Sequence, residues 1–498
     1  RNNGNVYLEY KFLNGFIFFF FWGADQDLLF EHEYDPITVA QGAKYNGLGI
    51  EGTTYVSNLV SSNVLQYIKS VEKTHHFEAL AGYSLEKYAS RNTYIEAVEF
   101  PNENLEYITS AGSIRSASAY GLERGMNSYF GQFKYNYKYK YIITLTARAD
   151  GSSKFGKNNR YGYFPAASVA WRVKEESFMN SVKAVSELKL RASVGLTGND
   201  GIGDFSSLGL YGGGFNYGQR PGIAPTQLPN PDLKWETTMQ TGLGFDLGMF
   251  DDRISLVADV YLNHTRDLLL KRPLPPSTGY TSIFSNIGEL ENKGIELLLN
   301  TQNIRGDFTW NTSFNFSANR NKILLLYEGQ PIDDQGRGGN RVQEGEPTGI
   351  FFGYVCLGVD PTTGKLVYED LNKDGAITAD DRQKIGDPNP DFTYGITNTF
   401  AYKNVDFSVF LQGVYGNDIF NGTNIYLASG IGEDNQLAFM ADRWKNPGDV
   451  TDIPKEGDQL KSSRFIENGS FMRIKNVTFG YNFPQKLLKP IKLKTARI

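Results

Sequence analysis

The sequence predicts an all-β protein, a transmembrane antiparallel β-barrel with about sixteen strands in this chain. One observation is that many segments alternate apolar and polar residues, as in 188–197 and 308–317. Period two over about ten residues is the pattern of a strand with one apolar and one wet face. A second observation is that long and short connections alternate along the chain. Outer-membrane barrels sort their connections in this way, with short periplasmic turns and long extracellular loops.

Composition excludes several classes of protein. The 498 residues carry 50 Lys and Arg against 55 Asp and Glu, and the net charge of −5 excludes a general nucleic-acid binder. A hydrophobic share of 40% excludes a disordered chain. Cys356 is the single cysteine, so an internal disulfide framework is excluded. The 30 Tyr, 34 Phe and 53 Gly favour strands and turns over helices.

The connections are predicted from breaks in the alternation. Short ones are expected near Asn14, Thr74, Tyr137, Met249, Gly306 and Asn404. Long ones are expected at 25–61, 91–125, 198–233, 264–287, 320–390 and 417–469, with a shorter one at 151–164. A helical connection is expected over 174–186. The longest apolar run, Gly15–Ala24, is about half the length that a membrane helix needs.

Motifs for catalysis are weak. Gly151–Lys157, GSSKFGK, has the spacing of a phosphate-binding loop. Position 158 is Asn, where Mg²⁺ coordination requires Ser or Thr, and no helical pattern follows. We therefore interpret the segment as an ordinary loop. Four His and one Cys leave little material for a nucleophilic centre, and the chain is predicted not to be an enzyme.

One segment follows the calcium-loop pattern D-x-[DN]-x-[DN]-G. Asp370, Asn372 and Asp374 supply side-chain oxygens at the first, third and fifth positions, and Ala376 would supply a backbone carbonyl. Asp381 occupies the twelfth position in place of the usual bidentate Glu, which weakens the expected affinity. A structural Ca²⁺ and an ion-free turn with the same residues both remain open. Either would order a long outer loop.

Alternation also assigns residues to the two faces of the barrel wall. Arg148, Arg191 and Asp259 fall on the polar face, which lines the lumen of such a barrel, and are candidate substrate contacts. The alternative is that they are ordinary solvated lumen residues. Leu190 and Val260 fall on the opposite, lipid-facing side.

Several stretches together resemble the SusC/RagA family of TonB-dependent outer-membrane transporters. The most characteristic is 147–179, ARADGSSKFGKNNRYGYFPAASVAWRVKEESFM, which LKLRASVGLTGN continues. Similar blocks follow in order at 230–261, 286–300, 385–421 and 471–484. The resemblance runs from about residue 120 to the end and is weaker over 1–119.

The resemblance implies a barrel of the 22-stranded type filled by an N-terminal plug, in the outer membrane of a Gram-negative bacterium. Residues 1–498 would then be a partial barrel, and the plug, the first strands and the last strand would lie outside this chain. It also implies TonB-driven import of nutrient oligomers, glycan or peptide, with a SusD-like surface lipoprotein as a lid. Other implied partners are TonB, outer-membrane lipid and lipopolysaccharide, and a second transporter–lipoprotein pair.

Three other functions remain as alternatives. A TonB-dependent receptor for a siderophore or metal complex would work without a lid. A soluble secreted glycan-binding or glycan-cleaving β-protein would remain in the aqueous phase without detergent. A passive porin would have an open lumen, and the long region 320–390 argues against it.

Overall fold

The computed structural model describes residues 1–333, 339–430, 435–455, 457 and 459–498. Strands dominate this part of the chain, as predicted. The strands that form the main sheet are β1 (Asn2–Phe12), β2 (Phe16–Asp35), β3 (Leu48–Val71), β4 (His75–Val98), β5 (Ser113–Tyr137), β6 (Tyr141–Ser152), β7 (Tyr161–Arg172), β8 (Val185–Asn199), β11 (Glu236–Met249), β12 (Ile254–Arg266), β15 (Glu289–Ile304), β16 (Phe308–Leu325), β23 (Phe392–Tyr402), β24 (Val405–Tyr415) and β27 (Phe471–Tyr481).

The remaining elements lie in the connections, except for those that follow β27. The short strands are β9 (Leu210–Gly213), β10 (Ile223–Gln227), β13 (Leu269–Pro273), β14 (Ser282–Asn286), β17 (Ile332–Asp333), β18 (Asn340–Val342), β19 (Ile350–Gly353), β20 (Cys356–Val359), β21 (Leu366–Tyr368), β22 (Gln383–Gly386), β25 (Asp418–Phe420) and β26 (Ile466–Asn468). The α-helices are α1 (Ala40–Tyr45), α2 (Thr423–Leu427) and α3 (Gln485–Leu488). Across the described ranges, no helix is long and apolar enough to cross a membrane.

Helical turns of the 3₁₀ type complete the connections and the segment after β27. They are Ile108–Ser110, Val173–Glu175, Ser177–Met179, Pro276–Thr278, Tyr327–Gly329, Ala379–Asp381, Ala438–Asp442, Ser463–Phe465 and Lys489–Ile491. Val173–Glu175 overlaps the start of 174–186 and Ser177–Met179 lies inside it, so the helical connection predicted there consists of two short turns. Strand β8 begins one residue before that predicted connection ends.

The main sheet joins strands in the order in which they occur along the chain. Its order is β1-β2-β3-β4-β5-β6-β7-β8-β11-β12-β15-β16-β23-β24-β27. Neighbouring strands run antiparallel wherever their register is defined, for example Asn2–Phe12 against Phe16–Gln26. The sheet has fifteen strands in the described residues, one fewer than the number expected from the alternation.

Short and long connections alternate between main-sheet strands with one exception, since 173–184 at the short-turn end is longer than 153–160 at the other end. The short ones are 13–15, 72–74, 138–140, 173–184, 250–253, 305–307 and 403–404. The long ones are 36–47, 99–112, 153–160, 200–235, 267–288, 326–391 and 416–470. Antiparallel neighbours place all short connections at one end of the strands and all long ones at the other. The predicted sorting of connections is therefore confirmed.

Two of the predicted long loops are wrong in extent. Most of 25–61 and 91–125 is strand, because β2 to β5 run for 20 to 25 residues each. A tilted bilayer crossing needs only about 9–11 residues. The outer parts carry polar residues on both faces, as in Glu31-His32-Glu33, so the alternation is lost there. Cross-strand hydrogen bonds nevertheless continue from Phe16↔Tyr67 to Asp35↔Leu48.

The chain divides into two compact units. The first comprises Arg1–Val169, Val194–Thr238 and Asp267–Asn286. Its buried apolar core joins the connections to strand β7 and consists of Phe155, Phe164, Ile202, Leu233 and Trp235, with Met126, Leu196, Leu269 and Phe284 packed against it. The Trp235 indole N–H donates to the Arg160 carbonyl at 3.0 Å, which satisfies the polar atom of a buried ring.

The second unit comprises Ala170–Ser193, Met239–Arg266 and Ile287–Ile498. It contains strands β12, β15, β16, β23, β24 and β27 together with the two longest connections. A small sheet of β17, β18, β19 and β22 lies within the connection 326–391. Phe351, Phe420 and Phe465 pack in succession, with ring centroids 6.0 Å apart at each step. This aromatic packing gives the long connections a buried interior of their own.

Candidate functional site

The register shows that the barrel wall has one apolar and one polar face. On β5 and β6 the apolar cross-strand pairs are Phe133↔Leu145 and Tyr135↔Ile143, and the polar ones are Gln132↔Thr146 and Lys134↔Thr144. Residues of one face recur every second position because successive side chains point to opposite sides of a strand. In a transmembrane barrel the apolar face meets lipid and the polar face lines the lumen.

Arg148 lies on the polar face, where the alternation predicted it. It stands opposite Phe130 on β5, with its guanidinium carbon 5.3 Å from the centre of that ring. Its Nε donates to both carboxylate oxygens of Asp150, at 2.8 and 2.7 Å. Asp150 is 6% exposed. Arg148 is thus already held by a carboxylate on its own strand.

Arg191 and Asp259 are brought together on the same polar face. The Arg191 guanidinium lies 3.0 Å from the Asp259 carboxylate and 2.9 Å from the Asp246 carboxylate. Lys189 lies 3.1 Å from Asp246 as well. Sequence reasoning missed Asp246, although its place in the alternating segment 236–249 offered the same signal that placed Arg191 and Asp259. The two candidates belong to one cross-strand charge network.

The predicted calcium loop is folded tightly on itself. The Asp374 backbone N–H donates to Asp370 Oδ1 at 3.2 Å and to Asn372 Oδ1 at 3.0 Å. The Gly375 N–H donates to Asp370 Oδ2 at 2.8 Å, and the Ala376 N–H donates to Asp374 Oδ1 at 2.9 Å. Gly375 has a φ of +86°, which a residue with a side chain adopts only with strain. The structure therefore brings the side chains of the first, third and fifth positions together.

Asp381 closes this loop at its other end. It is fully buried, and its carboxylate accepts the backbone N–H groups of Leu371 at 2.9 Å and Thr378 at 2.7 Å. Thr378 and Asp381 form a reciprocal capping box on the 3₁₀ turn Ala379–Asp381. Hydrogen bonding from the Thr378 backbone, followed by that from Leu371 and Asn372, holds the pKa of Asp381 below its usual value of 3.8 despite burial. Asp381 therefore stays ionised at neutral pH.

These residues supply the oxygen ligands that Ca²⁺ prefers. Their oxygens accept hydrogen bonds from the loop, and among the described residues no three His, Cys, Asp or Glu side chains are grouped as metal ligands. Two of the five predicted positions would use the Asn372 amide oxygen and the Ala376 carbonyl instead of such side chains. The calcium site stays a prediction.

The loop with phosphate-loop spacing is held by apolar contacts. Phe155 is 1% exposed within the apolar core, and the Gly156 N–H donates to the Leu233 carbonyl at 3.1 Å. A Cβ at position 156 would overlap the Pro231 carbonyl, so this close approach requires glycine. Residues 158–160 lead directly into β7 with no helix between. The interpretation of GSSKFGK as a loop is confirmed.

Comparison with known proteins agrees with this architecture. A family model described as "TonB dependent receptor-like, beta-barrel" matches residues 1–495. The chain is 36% identical to TonB-dependent receptor P3 of Formosa agariphila, with 99% of this chain and 52% of the relative covered. It is 33% identical to TonB-dependent receptor SusC of Bacteroides thetaiotaomicron, with 89% and 46% covered. It spans about half the length of these curated relatives.

The fold has a close counterpart among solved structures. The structure of the RagAB peptide transporter superposes with a TM-score of 0.89 at 24% identity, covering 99% of this chain and 56% of that chain. At this identity the match supports the fold alone. It confirms the transmembrane antiparallel β-barrel class predicted from alternation and loop sorting. The chain belongs to the TonB-dependent receptor β-barrel family, whose members are integral receptors and transporters of the outer membrane of Gram-negative bacteria.

Proposed function

We propose that this chain is the barrel wall of a TonB-dependent importer of nutrient oligomers, either glycans or peptides. The observation that carries the proposal is its 33% identity to a receptor named SusC, over 89% of the chain. Identity of 36% to a second TonB-dependent receptor over 99% of the chain supports the TonB-driven part. A siderophore receptor of the same fold is the second candidate.

The wall contributes to import by binding and guiding, with no bond made or broken. Three of its lumen-side charge contacts are ion pairs, of Arg148 with Asp150 and of Arg191 with Asp246 and Asp259. Paired charges keep the lumen polar and hydrated, and each of these three pairs holds a solute less strongly than an isolated charge would. An oligomer rich in hydrogen-bonding groups is able to exchange contacts along such a surface. This non-catalytic role is part of the proposal.

A SusD-like surface lipoprotein is proposed as the partner at the end of the strands that carries the long connections. Those connections contain strands, helical turns and aromatic contacts of their own, such as Phe351 with Phe420. A folded surface of that kind offers a partner fixed contacts, which short hairpin turns do not. TonB is proposed to act from the opposite, periplasmic side. Lipid and lipopolysaccharide would meet the apolar face, and two importer–lipoprotein pairs would associate.

The experiment is to isolate the full-length receptor from its native outer membrane in mild detergent and identify copurifying proteins by mass spectrometry. A stoichiometric surface lipoprotein is the expected result. A matched pair of variants locates the contact: residues 441–449 in the connection between β24 and β27 are replaced by a short Gly-Ser turn, and the 403–404 turn is lengthened by a Gly-Ser insertion. We expect only the first variant to lose the lipoprotein.

Uptake measured in cells with and without TonB completes the test. The proposal requires that uptake of glycan or peptide oligomers depend on both TonB and the lipoprotein. A receptor that purifies alone and takes up ferric siderophore would instead establish the second candidate. A structural Ca²⁺ in the Asp370–Asp381 loop is proposed as an additional stabiliser of the outer connections, on the strength of the five ligand positions found in sequence.

A further inference from the structure

A polar cavity of about 320 Å³ opens on the lumen-side face of the first unit. Glu86 on β4, Met126 on β5 and Ser152 on β6 stand directly opposite one another in the register and form one row of its lining. Arg148 occupies the same face of β6, two rows nearer the short turns. The cavity also includes Lys154 and Asp200 from the connections that follow β6 and β8. All of these residues belong to one compact unit.

Two cation–carboxylate pairs stand around this cavity at unusually long separations. Lys154 Nζ lies 3.7 Å from Asp200 Oδ2, and Arg124 Nη1 lies 3.5 Å from Asp204 Oδ2. Direct charged hydrogen bonds of this kind measure about 2.7–2.9 Å. One member of each pair is largely shielded from bulk solvent, since the Lys154 side chain is 14% and the Asp204 side chain 11% exposed, whereas Arg124 is 38% exposed. Each pair therefore retains unused donor and acceptor capacity.

These groups are held in place by rigid surroundings. Lys154 Nζ donates to the Asp200 carbonyl at 3.0 Å, and the buried Ser152 hydroxyl donates to Asp200 Oδ2 at 3.0 Å. The guanidinium carbon of Arg124 lies 3.9 Å from the ring centre of Tyr88, which stands opposite it in the register. Phe155, the neighbour of Lys154, is anchored in the apolar core. A ligand would meet a preformed arrangement.

The chemistry of the pairs selects an uncharged hydroxyl. A hydroxyl group donates and accepts through the same oxygen, so it is able to accept from Lys154 while donating to Asp200. An anion would be repelled by the Asp200 carboxylate, and a cation would be repelled by the Lys154 ammonium group. A peptide amide places its donor and acceptor on different atoms and bridges such a pair less well. Glu86 has no ion pair among the described residues, so its carboxylate is a further acceptor for a hydroxyl.

We propose that this cavity is a subsite for one sugar residue of a neutral oligosaccharide. Its volume lies at the lower end of the range of about 300–1,000 Å³ that is usual for small-molecule pockets, which suits a single pyranose ring and excludes a longer segment. The proposal rests on the importer function above and narrows its substrate from glycan or peptide to glycan. Lys154, Asp200 and Glu86 are the residues that would touch the sugar.

The test measures oligosaccharide binding to the full-length receptor in detergent by native mass spectrometry and titration calorimetry. The probes are short neutral oligosaccharides of glucose, mannose, galactose and xylose, with a tryptic digest of casein as the peptide probe. We expect an oligosaccharide to bind, and Lys154→Met and Glu86→Gln each to weaken its binding by about tenfold, the loss of one good hydrogen bond to a charged group.

Lys87→Met is the matched control, because Lys87 is adjacent to Glu86 on the opposite face and lies 3.6 Å from Glu123. We expect this variant to bind as the unaltered receptor does, and thermal melting checks that every variant is folded. Equal affinity for Lys154→Met and Lys87→Met overturns the proposal, as does binding of peptides only or of no probe at all. The importer function is tested separately, by copurification of the lipoprotein and by the dependence of uptake on TonB. Failure of the sugar subsite therefore does not count against the importer function.

Discussion

The guanidinium of Arg191 on β8 lies 3.0 Å from the carboxylate of Asp259 on β12, across the intervening strand β11. The two side chains meet over Gly244 of β11. A Cβ at position 244 would overlap Asp259 Oδ1 and lie 2.9 Å from Arg191 Nη2. The absence of a side chain at Gly244 is thus what allows a charge contact between strands that are not neighbours.

Gly244→Ala is expected to push these two charged groups apart. Because an inserted methyl group forces side chains and backbone to shift, we expect a loss of about 1–3 kcal/mol in the free energy of unfolding. Urea unfolding of the receptor in lipid vesicles measures it. Gly242→Ala on the same strand is the control, since its nearest neighbour is the Ser193 hydroxyl at 3.2 Å. Equal losses from both would contradict the spacing argument.

Leu190→Arg tests which face of β8 meets lipid. Leu190 is 43% exposed and alternates with Arg191, so an arginine there would enter the hydrocarbon. Burying a charge near mid-membrane on the lipid face costs about 2–4 kcal/mol of barrel stability. Arg191→Leu, on the lumen side, is expected to cost less. Equal effects on urea unfolding in vesicles would refute the assignment of the two faces.

The lowered pKa of Asp381 predicts that its loop loosens in acid. Its pKa is lowered in the folded protein by backbone N–H groups, chiefly that of Thr378. The stabilisation is therefore fully present above the unfolded value of 3.8 and is lost as the pH falls below 3.8 through the depressed pKa. Hydrogen exchange of residues 366–386 should accelerate in that window. In the Asp381→Asn variant this pH dependence of exchange should be absent. If the pH dependence persisted in the variant, another group would be its cause.

Calcium removal tests the sequence motif. Chelation with EGTA is expected to speed proteolysis within residues 366–386, and added Ca²⁺ to reverse it. Asp370→Ala should abolish the response, because Asp370 holds the first ligand position. Asp360→Ala, outside the motif but also in an Asp-closed turn, is the control. Identical cleavage with and without Ca²⁺ in the unaltered receptor would mean that the turn folds without an ion.

The outer parts of β2 to β5 extend beyond the membrane, so residues in them should be open to labelling from outside intact cells. In a background with Cys356→Ser, a cysteine replacing Ala117 should react with a membrane-impermeant maleimide. Ala117 lies in the outer part of β5, opposite Ile95. A cysteine replacing Lys69, beside the short 72–74 turn, should be protected until the outer membrane is opened. Labelling in the reverse order would invert the orientation of the strands.

The alternation of the membrane-spanning parts was sufficient to predict the fold class and the faces of Arg148, Arg191 and Asp259. It works there because lipid on one side and water on the other impose opposite polarity on successive residues. Beyond the membrane both faces of a strand are wet, and the constraint disappears. Segments such as Glu31-His32-Glu33 therefore resemble loops in sequence although they are paired strand residues.

The candidate sites were predictable only in part. Local spacing was enough to bring Asp370, Asn372 and Asp374 into one loop, since all the atoms involved lie within a few residues. The Lys154 and Asp200 pair depends on where two separate connections fold, and the apolar core around Phe155 decides that. The neighbours of a side chain at such distances in sequence are set by tertiary packing, which periodicity does not encode.

Each main-sheet strand pairs with the next main-sheet strand along the chain, which has a consequence for assembly in the membrane. Such a sheet is able to grow one hairpin at a time from either side, and no strand has to pass between two that are already paired. All but one of the closing loops at the short-turn end have two to four residues, so their entropic cost is low. The elaborate outer connections need to fold only after their flanking hairpin is in place.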